Sequence, residues 1–220
     1  MNICVIPARG GSKRIPRKNI RAFCGKPMIG WSIDAAVSSS LFDRVIVSTD
    51  DEEVRDLAIE LGADIPFVRP AELADDHAVL NDVMSHAVKW CSQNHPEIQY
   101  ACCLLATAPF VTKADLSEGL ARIKKSDAAY TVSICRYNFP VQRSVRVSDD
   151  GRLEMLHPEH RYTRSQDLVK SSTMQDSSIG EQKRRGSRRS CFSMANRPRS
   201  SSKTAECRTL IPWRTGPRPN

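Results

Sequence analysis

Ile6-Pro7-Ala8-Arg9-Gly10-Gly11-Ser12-Lys13-Arg14-Ile15-Pro16-Arg17-Lys18-Asn19 decides how the rest of the chain is read. It joins an apolar opening run, Asn2-Ile3-Cys4-Val5-Ile6, to a glycine-containing, strongly cationic loop. The run suits a buried parallel strand. Gly10 and Gly11 let backbone N–H groups approach an anion with no Cβ in the way. Arg9, Lys13, Arg17 and Lys18 add forked or mobile positive charge, which a departing pyrophosphate needs as its own charge develops. The spacing fits neither a Walker A loop nor a dinucleotide fingerprint, so ordinary ATPase and dehydrogenase readings lose ground. The bland alternative is a solvated basic turn; the strand in front of the loop favours the phosphate role.

Outward from this loop the pattern alternates. Pro27 opens a helix whose apolar positions Met28, Ile29, Trp31, Ile33, Ala36 and Val37 recur at helical spacing. A strand over 44–48 follows, then a helix capped by Thr49 or Asp50, with an acidic first turn Asp51-Glu52-Glu53 and Gly62 at its end. Further along, the pattern predicts a short strand over 66–68 before the Arg69-Pro70 turn and a helix over 81–92. Beyond these it predicts an apolar strand over 101–105, a helix capped by Thr112 with Asp115 three residues on, and a strand over 130–134. Two short runs around Asp149-Asp150-Gly151 read as a hairpin. The rhythm calls for one α/β domain: a mostly parallel, Rossmann-like sheet with helices on both faces. In such sheets ligands lie at the carboxyl ends of strands, where the basic loop, Asp50 and Thr107 all fall.

The net charge of +8 misleads, because residues 170–220 hold 12 of the 33 Lys+Arg and 3 of the 25 Asp+Glu. The body, 1–169, is left with 21 against 22, so it carries no global nucleic-acid signature. Its cysteines, at 4, 24, 91, 102, 103 and 135, fit no zinc spacing. Adjacent Cys102 and Cys103 read as small hydrophobes in a strand rather than a redox pair. With no signal-peptide pattern and no membrane-length apolar run, a cytoplasmic protein with reduced thiols is expected.

Several separate blocks carry a resemblance: Ile6 to Lys13, Ile15-Pro16-Arg17-Lys18-Asn19, Gly25-Lys26-Pro27-Met28-Ile29, Val47-Ser48-Thr49-Asp50-Asp51, and Arg69 to Asp76. From Met1 to about Leu168 the chain resembles the cytidylyltransferases that activate nonulosonic acids, the family of the CMP-sialic acid synthetases. Arg14, Thr107-Ala108-Pro109-Phe110 and Pro158-Glu159-His160 with Thr163-Arg164-Ser165-Gln166-Asp167-Leu168 resemble its pseudaminic acid branch. The resemblance implies a nucleotide-diphospho-sugar transferase fold in which the hairpin excursion serves a homodimer. It implies transfer of CMP from CTP, with Mg²⁺, to the anomeric hydroxyl of a nine-carbon sugar acid, and release of pyrophosphate for surface glycan synthesis.

By that resemblance, Ala8, Arg9, Gly10, Gly11, Ser12, Lys13, Lys18, Asn19 and Arg69 bind the nucleotide, with Arg9, Lys13 and Lys18 catalytic. The metal ligands stay unknown. Thr107, Gln142, Arg143, Arg164 and Gln166 are candidate acceptor contacts, since a sugar carboxylate needs a cationic partner. Asp75 and Asp76 either cap the following helix or line the site; capping is the favoured reading. His86 reads as packed or surface rather than as a catalytic base. Leu105-Ala106 stand where the sialic acid synthetases carry a glutamine and a proline, which turns the expected acceptor from sialic to pseudaminic acid. Sialic and legionaminic acids are the alternatives.

From Lys170 onward the pattern changes. Lys183-Arg184-Arg185-Gly186-Ser187-Arg188-Arg189-Ser190 and later Arg, Ser and Pro clusters replace hydrophobic periodicity, and 170–220 reads as a basic, low-complexity, disordered tail. A basic arm for nucleic acid or an anionic membrane is one reading. A frameshift explains more: permitted codons for Ser172-Thr173-Met174-Gln175-Asp176-Ser177-Ser178-Ile179-Gly180-Glu181 also encode, one frame over, His-Asp-Ala-Gly-Gln-Phe-Tyr-Trp-Gly, which resembles the family's continuation. The family's later Asp-x-Asp element, which helps hold Mg²⁺, is missing from this stretch, so weak or no turnover is expected. The rival from another class is a non-catalytic remnant whose tail binds polyanions.

Overall fold

A computed structural model describes residues 1–125, 130–182, 192–193 and 209–213. Its first half runs β1 (Asn2–Pro7), β2 (Ala22–Phe23), β3 (Lys26–Pro27), α1 (Met28–Ser39), β4 (Arg44–Ser48), α2 (Glu52–Glu60) and α3 (Leu80–Asn94). Then come β5 (Tyr100–Cys103), α4 (Lys113–Lys124), β6 (Tyr130–Arg136), β7 (Val145–Val147), β8 (Leu153–Met155), β9 (Ser172–Gln182), β10 (Phe192–Ser193) and β11 (Thr209–Trp213). The main sheet has the order β11-β6-β9-β5-β1-β4, with β10 also on β5. β1 is parallel to both neighbours, Cys4 standing opposite Val45 and Cys102. β9 is antiparallel to β5 and β6, and β11 to β6, so β6 runs the same way as β5.

Alternation along β1 divides the core. Cys4 and Ile6 join α1, α2 and α4 on one face, through Ile29, Ile33, Val54, Ala58, Leu116 and Ile123. Ile3 and Val5 join Met84, Ala87, Val88 and Cys91 of α3 on the other. The adjacent cysteines of β5 obey the same rule: Cys102 belongs to the first cluster and Cys103 to the second, which rules out a redox pair between them. Burial pushes the Cys102 thiol well up, so it behaves as a small hydrophobe.

Most predicted elements appear, with local corrections. The α2 cap is Asp51, neither Thr49 nor Asp50: its carboxylate accepts from Val54 N at 2.9 Å, while Thr49 Oγ1 accepts from Asp51 N at 3.1 Å. Residues 66–68 form no strand. The chain bridges only at Asp64 to Ile46, then runs between Pro66 and Pro70, which offer no N–H, to place Arg69 N on Thr49 O at 2.8 Å. The apolar run of 101–105 leaves the sheet at Cys103, although Leu104 N still reaches Val5 O at 3.0 Å. At α4 the expected capping box is present, Thr112 and Asp115 satisfying each other's backbone donors.

The hairpin excursion is a separate two-stranded sheet, β7 with β8, turning at Gly151 with φ +80°. Within 170–220, where the sequence places no element, β9, β10 and β11 are described; the basic cluster at 183–190 lies outside the described residues. Among the described residues no helix is long and apolar enough to cross a membrane.

Candidate active site

Parallel register brings the exits of β1, β4 and β5 side by side, and a cavity of about 230 Å³ opens there. Its walls include Pro7, Arg9, Gly11, Ser12, Lys18 and Asn19 from the basic loop and Arg69, Leu73, Asp75 and Asp76 from the segment after α2. Leu105, Ala106 and Thr107 after β5 and Leu80 and Val83 of α3 complete them. A larger hollow of about 440 Å³ between Phe23, Trp31, Pro109 and Phe110 has no cationic lining among the described residues and offers nothing there for a polyphosphate.

Arg69 is the least ordinary group in the wall. Only 4 % exposed, it donates from Nε to Ser48 Oγ at 3.1 Å and from Nη2 to Ser48 O at 2.5 Å. Burial lowers its pKa to about 10, Asp50 opposing the shift and Arg9 adding to it. A buried guanidinium still charged at neutral pH, with no ion-pair partner among the described residues, favours an incoming anion. Lys18 lines the same cavity half-buried and likewise has no ion pair among those residues.

Arg9 and Lys13 are engaged differently. Arg9 Nη1 donates to Asp75 O at 2.6 Å and Nη2 pairs with Asp76 at 2.9 Å, while Lys13 Nζ pairs with the other Asp76 oxygen. The ammonium of Lys13 hydrogen-bonded to Asp76 holds that carboxyl below the usual range. Asp76 therefore does not cap α3, whose N-cap is Val79 without a side-chain bond. Asp75 closes its own turn, accepting from His77 N at 2.8 Å and Ala78 N at 2.6 Å. Sequence offers no sign of the Arg9–Asp76 pairing, because the partners lie far apart in the chain and Asp76 also fits a cap.

The other candidates of the loop hold it in shape. Asn19, 7 % exposed, donates from Nδ2 to Arg9 O at 2.8 Å across the neck of the loop. Gly10 N donates to Asp50 Oδ1 at 3.1 Å, so that amide is engaged with protein, whereas Gly11 has open space around it. Ala8 is buried, its N–H on Ser48 O at 2.9 Å. His86 packs edge-on against Phe67 with ring centroids 4.9 Å apart, and burial lowers its pKa. That is the packed histidine expected.

Of the acceptor candidates only Thr107 lines the cavity. Gln142 Nε2 donates to Val169 O at 3.1 Å; Arg143 donates to Arg161 O at 3.1 Å and Thr163 O at 2.5 Å. Arg164 pairs with Asp167 at 2.8 Å beside exposed Gln166. For a divalent metal the fit is incomplete. Asp76 is held by two cations and Asp50 by Gly10 N, and among the described residues no three His, Cys, Asp or Glu side chains converge.

A cation-walled cavity at the carboxyl ends of parallel strands, opening on a glycine-bearing loop, defines an α/β nucleotide-binding protein. The family model "Cytidylyltransferase" matches residues 3–176, and the chain belongs to that family of nucleotidyltransferases. It is 39% identical over 170 residues to "Pseudaminic acid cytidylyltransferase" of Campylobacter jejuni, covering 77% of this chain and 73% of that protein. It is 47% identical over 74 residues to "CMP-N,N'-diacetyllegionaminic acid synthase" of Legionella pneumophila, covering 34% and 32%. Among solved structures, CMP:2-keto-3-deoxy-manno-octonic acid synthetase complexed with CTP superposes with TM-score 0.60 at 20% identity, over 82% of this chain and 73% of that one; it shares the fold.

Proposed function

We propose that this protein transfers CMP from CTP to the anomeric hydroxyl of a nonulosonic acid, with pseudaminic acid as the acceptor, and releases pyrophosphate. The observation that carries the reading is the pair of cations without carboxylate partners among the described residues, Arg69 and Lys18, in the wall of one cavity beside the glycine loop. The triphosphate lies along Gly11, Ser12 and Lys18, and its oxygens take the place of the Asp76 carboxylate on Arg9 and Lys13. The sugar hydroxyl oxygen attacks the α-phosphorus in line, its proton passes to water, and the electron pair of the breaking P–O bond leaves with pyrophosphate. Such chemistry asks the protein for position and charge neutralisation more than for covalent participation. Magnesium would enter on the triphosphate and would neutralise its charge there, since no three described acidic, His or Cys side chains converge to hold it.

The choice of pseudaminic acid rests on the Campylobacter relative and on the motifs around Thr107 and Arg164. The acceptor residues of 142–166 stand apart from the cavity, and the hairpin beside them exposes Val145, Val147 and Leu153 at 49%, 68% and 70%. Exposed apolar side chains gathered on one hairpin suit an interface. We therefore take the working unit to be a homodimer in the cytoplasm, with the hairpin at its contact. A pyrophosphate-release assay with CTP and a panel of sugar acids tests the reading. Turnover with pseudaminic acid supports it, turnover with sialic or legionaminic acid alone reassigns the acceptor, and CTP binding without turnover assigns the loss to the altered stretch after 169. Salt-sensitive RNA binding without CTP binding would instead favour a remnant with a polyanion-binding tail. Sequencing the gene around codon 170 in independent isolates tests the frame change.

A further inference from the structure

Arg17 belongs to the cationic loop, yet it does not line the cavity that Lys18 and Asn19, its next neighbours, help to wall. Its guanidinium points to the head of α2. Nη1 donates to Asp51 Oδ2 at 2.5 Å, Nη2 to Asp51 Oδ1 at 3.3 Å, and Nη2 also pairs with Glu53. Two carboxylates on one guanidinium neutralise it, so little of its charge is left for a triphosphate. The backbone at Arg17 is left-handed, φ +54°, a conformation costing a non-glycine residue about 1–2 kcal/mol. Such a conformation persists where the surroundings over-determine it.

The partner is equally fixed. Asp51 caps α2 through Val54 N, and the opposite limb of the loop packs on the same side chain: a Cβ on Gly10 would stand 2.7 Å from Asp51 Cβ. Gly10 N is tied to the preceding aspartate, Asp50. Both limbs of the phosphate loop are thus anchored on consecutive residues at the exit of β4, and Asn19 closes the neck onto Arg9 O. Arg17 O in turn accepts from Ile20 N at 3.1 Å and Arg21 N at 3.0 Å, ordering the turn that carries Lys18 and Asn19.

We propose that Arg17 is a positioning residue: clamped on Asp51 and Glu53, it holds the far limb of the loop so that Lys18 and Asn19 face the nucleotide, without touching the triphosphate itself. This rests on the nucleotide site proposed above. It explains why a fork rather than an ammonium stands at 17, since two carboxylates must be bridged from one backbone position.

The test is calorimetric titration of the full chain with CTP and magnesium chloride, run on wild type, R17Q, D51N and the double variant. Each single change is expected to weaken CTP by about tenfold, the scale of one charge-assisted hydrogen bond, and the double change by no more than either. R17K restores a point charge and recovers part of the affinity beside Asp51, but none in the D51N background. A loss from R17Q that is the same in both backgrounds, or a D51N protein binding CTP as tightly as wild type, overturns the clamp and makes Arg17 a direct phosphate ligand. Wild type that binds CTP while R17Q binds equally well overturns the proposal alone; wild type that binds no CTP overturns the site reading and this proposal with it. Should R17Q fail to fold, E53Q replaces it at the exposed end of the clamp, and unchanged affinity in E53Q and D51N together is then the overturning result.

Discussion

Lys18 and Arg69 meet at one cavity with no carboxylate among the described residues bonded to them, whereas Arg143 and Arg164 are occupied by backbone carbonyls and by Asp167. The two regions were read from motifs of similar sharpness, and they differ in what delivers the side chains. Around the cavity, each motif follows a strand, and the parallel register of β4, β1 and β5 forces the three exits together. The 142–166 stretch follows the end of β6 through short turns and a hairpin that packs in a sheet of its own. A strand exit fixes a residue by topology; a turn fixes it only through contacts, which in this region are local.

The largest effect should come from removing the cations Asp76 now holds. Arg9→Ala with Lys13→Ala deletes two charge-assisted contacts to the triphosphate, worth about 1.5–3 kcal/mol each, so CTP affinity should fall at least about hundredfold. Both side chains reach solvent and neither is core, so the melting temperature should stay within a few degrees. Calorimetry and thermal unfolding check the pair of outcomes. Retained affinity would remove the basis for placing CTP in this cavity.

Arg69→Met separates binding from stability within the same wall. The arginine is buried against Ser48 with no carboxylate among the described residues bonded to it, so a flexible apolar side chain of similar length relieves its desolvation. CTP binding should weaken by about ten- to a hundredfold while resistance to urea holds or rises. Loss of stability together with loss of binding would make Arg69 a structural arginine of the β4 exit.

The second region is tested through its hairpin. Val147→Asp with Leu153→Asp puts charge on two exposed apolar positions that face each other across β7 and β8. Sedimentation should show dissociation of the proposed dimer, and turnover should fall with CTP affinity unchanged, because the cavity residues all lie before position 108. A dimer that survives both aspartates would move the interface elsewhere and leave Gln142, Arg143, Arg164 and Gln166 without a route to the acceptor.

Much of this arrangement was legible in the chain. The apolar opening run, the α4 capping box and the turn at Gly151 follow from local patterns that the tertiary structure keeps. Asp76 was not: an aspartate ahead of a helix reads as a cap, and only the approach of the 69–78 segment to the loop reveals Arg9 and Lys13 as its partners. The partners of Arg17 were hidden for a related reason. Composition shows that a loop is cationic, but which cations face the ligand depends on the carboxylates that the next strand exit supplies, and Asp51 and Glu53 lie more than thirty residues on.

The smallest predicted effect concerns that same carboxylate and depends on pH. The Arg17 hydrogen bond, followed by the Val54 amide and the Arg17 charge, holds the Asp51 carboxyl below its ordinary value of 3.8. A depressed folded-state pKa means that the stabilising contribution is fully present above the unfolded value and is lost as pH falls through the folded one. Urea unfolding at pH 5 and again below 3.8 should therefore show wild type losing part of its advantage over D51N as pH falls from the unfolded value towards the depressed folded one. The neutral amide keeps an acceptor for Val54 N, so D51N itself should show a flatter acid limb while retaining α2. Parallel acid limbs would mean that Arg17 does not depress Asp51, and the head of α2 would then be an ordinary capped helix with no tie to the phosphate loop.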